Sequence, residues 1–233
     1  MAESSEVKLL GTWWSPFAMR SRIALNIKHV NYAFVDENLL SKSELLLKSN
    51  SVHKKIPVLI HGDKPVCESL IIVQYIDDVW TSDPSILPSD PYDRATALFW
   101  AAYLDEKWFP ALKGILFGQG EDAKKALVDQ AVEALVLVEE AFGKCSKGKP
   151  FFGGDQIGYV DIAFGCFLAM IRVTEKFNDI KLLDQAKTPE LVKWAERFCQ
   201  HPAVNGVMPE TEELAEYAEI AIVKMRDANP PKS

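Results

Sequence analysis

Histidine and cysteine are scarce in this 233-residue chain, four of each, and neither is spaced for metal chemistry. Cys67, Cys145, Cys166 and Cys199 form no Cys-x-x-Cys pair, and His29, His53, His61 and His201 fall in turns or loops. The thiols read as core residues, and no metal site is expected. A basic excess is also missing: net charge is −7, with 9 Lys+Arg against 9 Asp+Glu in residues 1–82 and 17 against 24 in residues 83–233. Nucleic acid or an anionic membrane would want a basic face, so neither is an expected partner. A small anionic ligand in the neutral first part is compatible with that balance. Long apolar runs are absent as well. The most apolar stretch, around Ile162–Val173, is too short and interrupted to span a membrane. The start, Met1-Ala2-Glu3-Ser4-Ser5-Glu6, has neither a basic region nor an apolar one, so no signal peptide is expected. Pro230-Pro231-Lys232-Ser233 carries no retention or peroxisomal signal, and the expected compartment is the cytosol.

What is present is enough apolar material, 48% of residues, for one large or two modest domains. Val7–Trp14 has strand length and composition, and Ala18–Lys28 carries Met19, Ile23 and Ile27 four apart. The period switches from strand to helix across Ser15-Pro16-Phe17. Ser15 is placed as an N-cap, with Pro16 at the first helical position. A hydroxyl at a strand tip, beside the positive end of a helix dipole, favours an anion. Tyr32–Val35 reads as a second strand. Ser41–Lys48 reads as a short helix, capped by Ser41 with Glu44 in a capping box and Leu45–Leu47 facing inward. Ile56–Ile60 is a strand with Pro57 near its start, residues 61–65 connect, and Val66-Cys67 is a fourth strand. Glu68-Ser69 then opens a helix over Leu70–Trp80, apolar enough to be buried on more than one side.

Pro84, Pro88 and Pro91 mark residues 83–92 as a linker, and no convincing strand follows. Helical patterns cover Arg94–Phe117 (bent at Pro110), Asp122–Phe142, an apolar central helix Val160–Lys176, Glu190–Cys199 and Glu210–Met225. In the last of these Leu214, Tyr217, Ala218, Ala221, Ile222 and Met225 share a face. Asp161 is expected to cap the central helix from its N3 position. Trp13 and Trp14 are expected to pack. Of Trp100, Tyr103, Trp108 and Phe109, most belong to the core and one or two line a pocket. An α/β half of order β-α-β-α-β-β-α followed by an all-helical half is the expected architecture.

The ordered set of strand-Ser15-Pro16-Phe17-helix, Lys54-Lys55 before Ile56-Pro57-Val58, the Glu68-Ser69 turn and a helical second half resembles the cytosolic glutathione transferases, and within them the plant tau class. Lys42-Ser43-Glu44-Leu45-Leu46-Leu47, Val52-His53-Lys54-Lys55, Tyr75-Ile76-Asp77, Phe152-Gly153-Gly154-Asp155 and Gly158–Ala163 carry the likeness over essentially the whole chain. It implies a thioredoxin-like glutathione-binding domain (1–82), the linker, and an all-helical domain (93–233) that walls an electrophile pocket, assembled as a homodimer. It implies further that Ser15 donates to the glutathione sulfur, Lys42 and Lys55 hold the glycine carboxylate region, and Ile56, before a cis Pro57, pairs with the cysteinyl backbone. Glu68 and Ser69 take the γ-glutamyl ammonium and carboxylate, while Phe17, Phe109, Lys113 and Met170 are candidates for the electrophile pocket. No cofactor is implied, glutathione being a co-substrate. Two positions depart from the class: Ser51 where proline is usual, and Gly158 in place of a Ser or Thr cap.

The expected activity is conjugation of glutathione to apolar electrophiles in detoxification, with peroxide reduction as a possible side activity. A non-catalytic carrier of apolar molecules is the alternative. A thiol transferase is disfavoured, because the oxygen of Ser15 cannot form a mixed disulfide.

Overall fold

The structure, a computed structural model, describes residues 6–118 and 120–228, with side chains to residue 224. The readings made at the two termini, and the side chain of Met225, lie outside the described residues.

Sheet register decides where the functional loops end up. Strands β1 (Val7–Gly11), β2 (Ala33–Asp36), β3 (Val58–His61) and β4 (Lys64–Cys67) form one sheet of order β2-β1-β3-β4. β1 runs parallel to β2 and antiparallel to β3, which runs antiparallel to β4. The central strand is buried on both faces, which is why Leu9 and Leu10 are consecutive and apolar. Leu9 packs with Ile23, Leu59, Ile72 and Ile76, contributed partly by helices α1 (Pro16–Ile27) and α3 (Ser69–Val79). Leu10 faces Val58, Ile60 and Leu46, the last from α2 (Glu44–Ser49).

Three local expectations change here. α2 starts at Glu44 and its cap is Ser43, not Ser41, because Ser43 accepts from the Leu46 N–H while its own hydroxyl donates to Glu37 at 2.6 Å. Only Leu46 of the leucine triplet is buried; Leu45 and Leu47 are exposed, since a helix this short covers the sheet with one side chain. α3 is buried on one face through Ile72, Val73 and Ile76, and exposes Ile71 and Val79.

Past the sheet, all regular elements among the described residues are helical. α4 (Pro91–Tyr103), capped by Asp90, runs through a π-helical turn over Leu104–Trp108 into α5 (Phe109–Phe117). The irregularity precedes Pro110, which lacks the N–H that would bond Glu106 and whose ring would crowd that carbonyl. α6 (Glu121–Ser146), α7 (Tyr159–Gly165), α8 (Leu168–Asn178), α9 (Pro189–Gln200) and α10 (Thr211–Ala228) complete the chain. The expected single central helix is thus two, α7 and α8. The Ala163 carbonyl, which a continuous helix would bond to the Phe167 N–H, instead accepts from Arg20 Nη2 at 2.8 Å. Phe167 N–H turns to Phe164 O at 3.0 Å, and the helix breaks. Asp161 is buried at N3 as expected, accepting from the N–H groups of Gly158, Phe152 and Gly153 and from Trp194 Nε1 at 2.7–2.9 Å. Burial still pushes its carboxyl up, to about 6.

Candidate active site

Leu10, Val58 and Cys67 lie in one row across β1, β3 and β4, and Gly11 lies opposite Asp36 of β2. The C-terminal ends of β1, β2 and β4 and the start of β3 are therefore at the same end of the sheet. The loops that leave there share that end: Thr12–Ser15, Glu37–Ser43, Lys54–Pro57 and Glu68-Ser69. Four stretches far apart in sequence become neighbours through register alone.

Ser15 caps α1 from this end. It is buried, and its Oγ accepts from the Ala18 N–H at 3.3 Å, which leaves the hydroxyl proton to donate elsewhere. The close approach of α1 to β1 depends on Gly11, where an added Cβ would lie 2.9 Å from Ala18 Cβ. Ile56–Pro57 is cis. Neither the N–H nor the C=O of Ile56 has a backbone partner among the described residues. Lys42 is exposed and its Nζ donates to the Lys54 carbonyl at 2.9 Å, joining two of the loops; Lys55 is exposed beside it.

Glu68 adopts φ 70°, a region that costs a non-glycine residue about 1–3 kcal/mol and is found mostly where surroundings and function impose it. Its half-exposed carboxylate lies 3.9 Å from His53 Nε2. Ser69 is the first residue of α3, so its N–H is free of the helical ladder, and its buried Oγ accepts from Arg20 Nη1 at 3.2 Å.

Arg20 is the main residue that sequence reading missed. It is fully buried, forms a bidentate pair with Asp105 at 2.8 and 2.5 Å, and donates its Nε to Cys166 Sγ at 3.3 Å. Its guanidinium lies 5.2 Å from the Phe17 ring centroid and 5.1 Å from that of Phe167. Burial works against its charge, but the bidentate pair with the Asp105 carboxylate more than offsets it, with a hydrogen bond to the Cys166 sulfur besides, and the guanidinium is held charged. Burial pushes the Cys166 thiol up to about 11, so the sulfur is a neutral neighbour at neutral pH. One charge on α1 thus braces Ser69, Phe17 and the helical half together. In the sequence Arg20 is merely a basic residue on an amphipathic helix, with no local mark of burial.

Beside Ser15 opens a cavity of about 290 Å³ between α1, α5, α8 and α10. Phe17, Phe109, Lys113 and Met170 all line it, together with Ser15. The reading omitted Trp14 and Tyr217, whose rings stack at 4.9 Å, and the adjoining Phe117, Val173 and Leu214. Trp14 packs as expected, against the cluster of Leu116, Leu214 and Ala218, and walls the cavity as well. The periodicity of the last helix identified its apolar face but not what that face covers. Among the described residues no group of three or more metal-ligating side chains occurs, and no helix is long and apolar enough to cross a membrane.

Residues 5–78 match the model of the glutathione S-transferase N-terminal domain and residues 97–202 that of the glutathione S-transferase C-terminal domain. The chain is 67% identical over 216 residues to glutathione S-transferase U17 of Arabidopsis thaliana, covering 92% of this chain and 95% of that protein. It superposes on the tau-class glutathione S-transferase of mango, Mangifera indica, with a TM-score of 0.90 and 68% identity over 93% and 99% of the two chains. The structure of rice GST1 in complex with glutathione follows at a TM-score of 0.87 and 35% identity, over 96% and 99%. With both domain models matched and identity this high over nearly the full length, the chain belongs to the glutathione S-transferase family and, within it, to the tau class.

Proposed function

We propose that this protein joins the thiolate of reduced glutathione to apolar electrophiles, with residues 1–82 holding the tripeptide, 83–92 linking, and 93–233 walling the acceptor. The observation that carries this is the Ser15 hydroxyl, buried at a helix N-terminus with its proton free, where the polar end of the sheet meets an aromatic cavity. A free thiol with a pKa of ~8.5 is only a few per cent thiolate at neutral pH, and the thiolate is the nucleophile. A hydroxyl proton and a helix dipole both favour the anion. The thiol proton leaves to solvent, the sulfur forms a bond to the electrophilic carbon, and the leaving group departs with its electron pair. No general base is needed.

Glutathione carries two carboxylates and one ammonium. Lys42 and Lys55 complement the glycine carboxylate, and Glu68 the ammonium. Ser69 offers the γ-glutamyl carboxylate a backbone N–H at the start of α3 and a hydroxyl whose oxygen Arg20 already orients. The unpaired backbone of Ile56 suits an extended peptide added as a short strand. Exposed Val52, Ile71, Tyr92 and Phe99 support a homodimer that covers them. A cytosolic setting and a role in clearing reactive apolar compounds complete the reading.

The test is turnover of glutathione with chlorodinitrobenzene. Wild type should exceed the uncatalysed rate by orders of magnitude. Glu68→Ala should raise KM for glutathione about tenfold, the loss of one charge-assisted bond, while Glu44→Ala should not. No turnover, or equal KM for the two variants, would refute the assignment.

A further inference from the structure

Among the described residues fourteen line the cavity beside Ser15, and only one of these is charged. Phe109, Lys113 and Phe117 lie at successive four-residue steps of α5, so Lys113 stands between two rings on the wall that faces the cavity. The lining includes no Asp or Glu, and among the described residues Lys113 has no carboxylate within ion-pair distance. This contrasts with the acidic balance of residues 83–233, where acidic groups outnumber basic ones 24 to 17. A lysine stem covers apolar wall while its ammonium reaches the wet rim, so the cavity ends in an unmatched positive charge.

We infer that the preferred acceptors are compact aromatic electrophiles bearing an anionic group, a ring carboxylate above all, whose charge pairs with Lys113 while the ring lies among Trp14, Phe17, Phe109 and Tyr217. The inference rests on the conjugating function proposed above and names the acceptor class of that site. Volume sets the size: about 290 Å³ is at the lower end for small-molecule sites and suits one or two rings. Charge sets the orientation. With the anion held at the rim by Lys113, the opposite edge of the ring is turned inward toward Ser15. For an aryl halide the sulfur–carbon bond forms there, the carbon–halogen bond breaks, and halide leaves with the electron pair.

The experiment compares para-chloro-meta-nitrobenzoate with the corresponding benzamide, each rate divided by its uncatalysed rate with glutathione. Wild type should show a KM about tenfold lower for the carboxylate, and the preference should shrink as ionic strength rises. Lys113→Met should bring the KM ratio to about one and Lys113→Arg should preserve it; Lys107→Met, an exposed charge on the adjoining π-helical turn, should leave it as in wild type. Calorimetric binding of unreactive meta-nitrobenzoate should weaken in Lys113→Met alone. Equal KM values for the two acceptors in wild type, or a ratio unchanged in Lys113→Met, would overturn the inference while leaving conjugation itself intact. Absence of any turnover, with meta-nitrobenzoate still bound through Lys113, would instead overturn the conjugating function and, with it, the assignment of these anions as acceptors.

Discussion

Ser15→Ala separates two contributions of one hydroxyl. Its oxygen accepts from the Ala18 N–H and its proton is free, so replacement removes a helix cap and the proposed thiolate donor together. A hydrogen bond to a charged group contributes about 1.5–3 kcal/mol, and 1.36 kcal/mol corresponds to one pKa unit. Without the hydroxyl, the pKa of bound glutathione should rise by about one to two units; the helix dipole, worth ~0.5 kcal/mol, remains. At about pH 6.5, kcat should therefore fall roughly ten- to hundredfold, whereas at about pH 9 both proteins hold mostly thiolate and the rates should converge. KM for glutathione should change little, because the proposed site assigns the tripeptide to charged groups elsewhere. The lost cap costs about 1 kcal/mol, a fall in Tm of roughly 2–4 °C. The assays are the pH–rate profile with chlorodinitrobenzene, ultraviolet titration of the bound thiolate, and thermal unfolding at fixed protein concentration. Ser15→Thr, which keeps a hydroxyl, should restore most of each quantity. An equal loss of kcat at both ends of the pH range, with the thiolate titrating as in wild type, would refute thiolate stabilisation by Ser15.

Other consequences concern the frame around the site. Asp105→Leu should strand the buried Arg20 charge and lower stability by about 2–4 kcal/mol, less than for a fully enclosed pair because Asp105 is partly open to water; Arg20→Met/Asp105→Leu should recover much of it, and additive losses in denaturant titrations would disprove the coupling. Asp77 is buried against Lys28 at 2.8 Å and accepts from the N–H groups of Ile86 and Leu87. Burial pushes its carboxyl up, but those N–H groups and the Lys28 ammonium more than offset this and hold it below the usual carboxylate range. Its contribution to stability should be complete above about pH 4 and lost as pH falls through the lowered native value, so Tm measured over that window should fall less steeply in Asp77→Asn. Gly165→Ala would drive a Cβ to 2.2 Å from the Phe198 ring, itself fully buried, and should cost about 1–3 kcal/mol by chemical denaturation.

Much of the first half was legible because its signals are local. A change of period across Ser15-Pro16, a proline at the start of a strand and a hairpin connection within residues 61–65 each need only a few neighbouring residues to be read, although the turn itself is only Gly62-Asp63 and β4 starts at Lys64. Where such signals competed, packing chose. Ser41 and Ser43 are both good caps, and Ser43 caps the helix because Glu37, six residues earlier, reaches its hydroxyl.

By itself, then, the chain determined most of its elements, the capped hydroxyl at Ser15, and the residue types that suit a small zwitterionic peptide. Tertiary structure alone decided three things. Strand register brought the four loops to one end of the sheet. The buried Arg20 took the Ala163 carbonyl and broke the central helix in two. The last helix closed over Trp14 to make a cavity with one unmatched charge. Each joins residues separated by tens to hundreds of positions, and pattern along a chain records which face of an element is apolar, not which distant partner covers it.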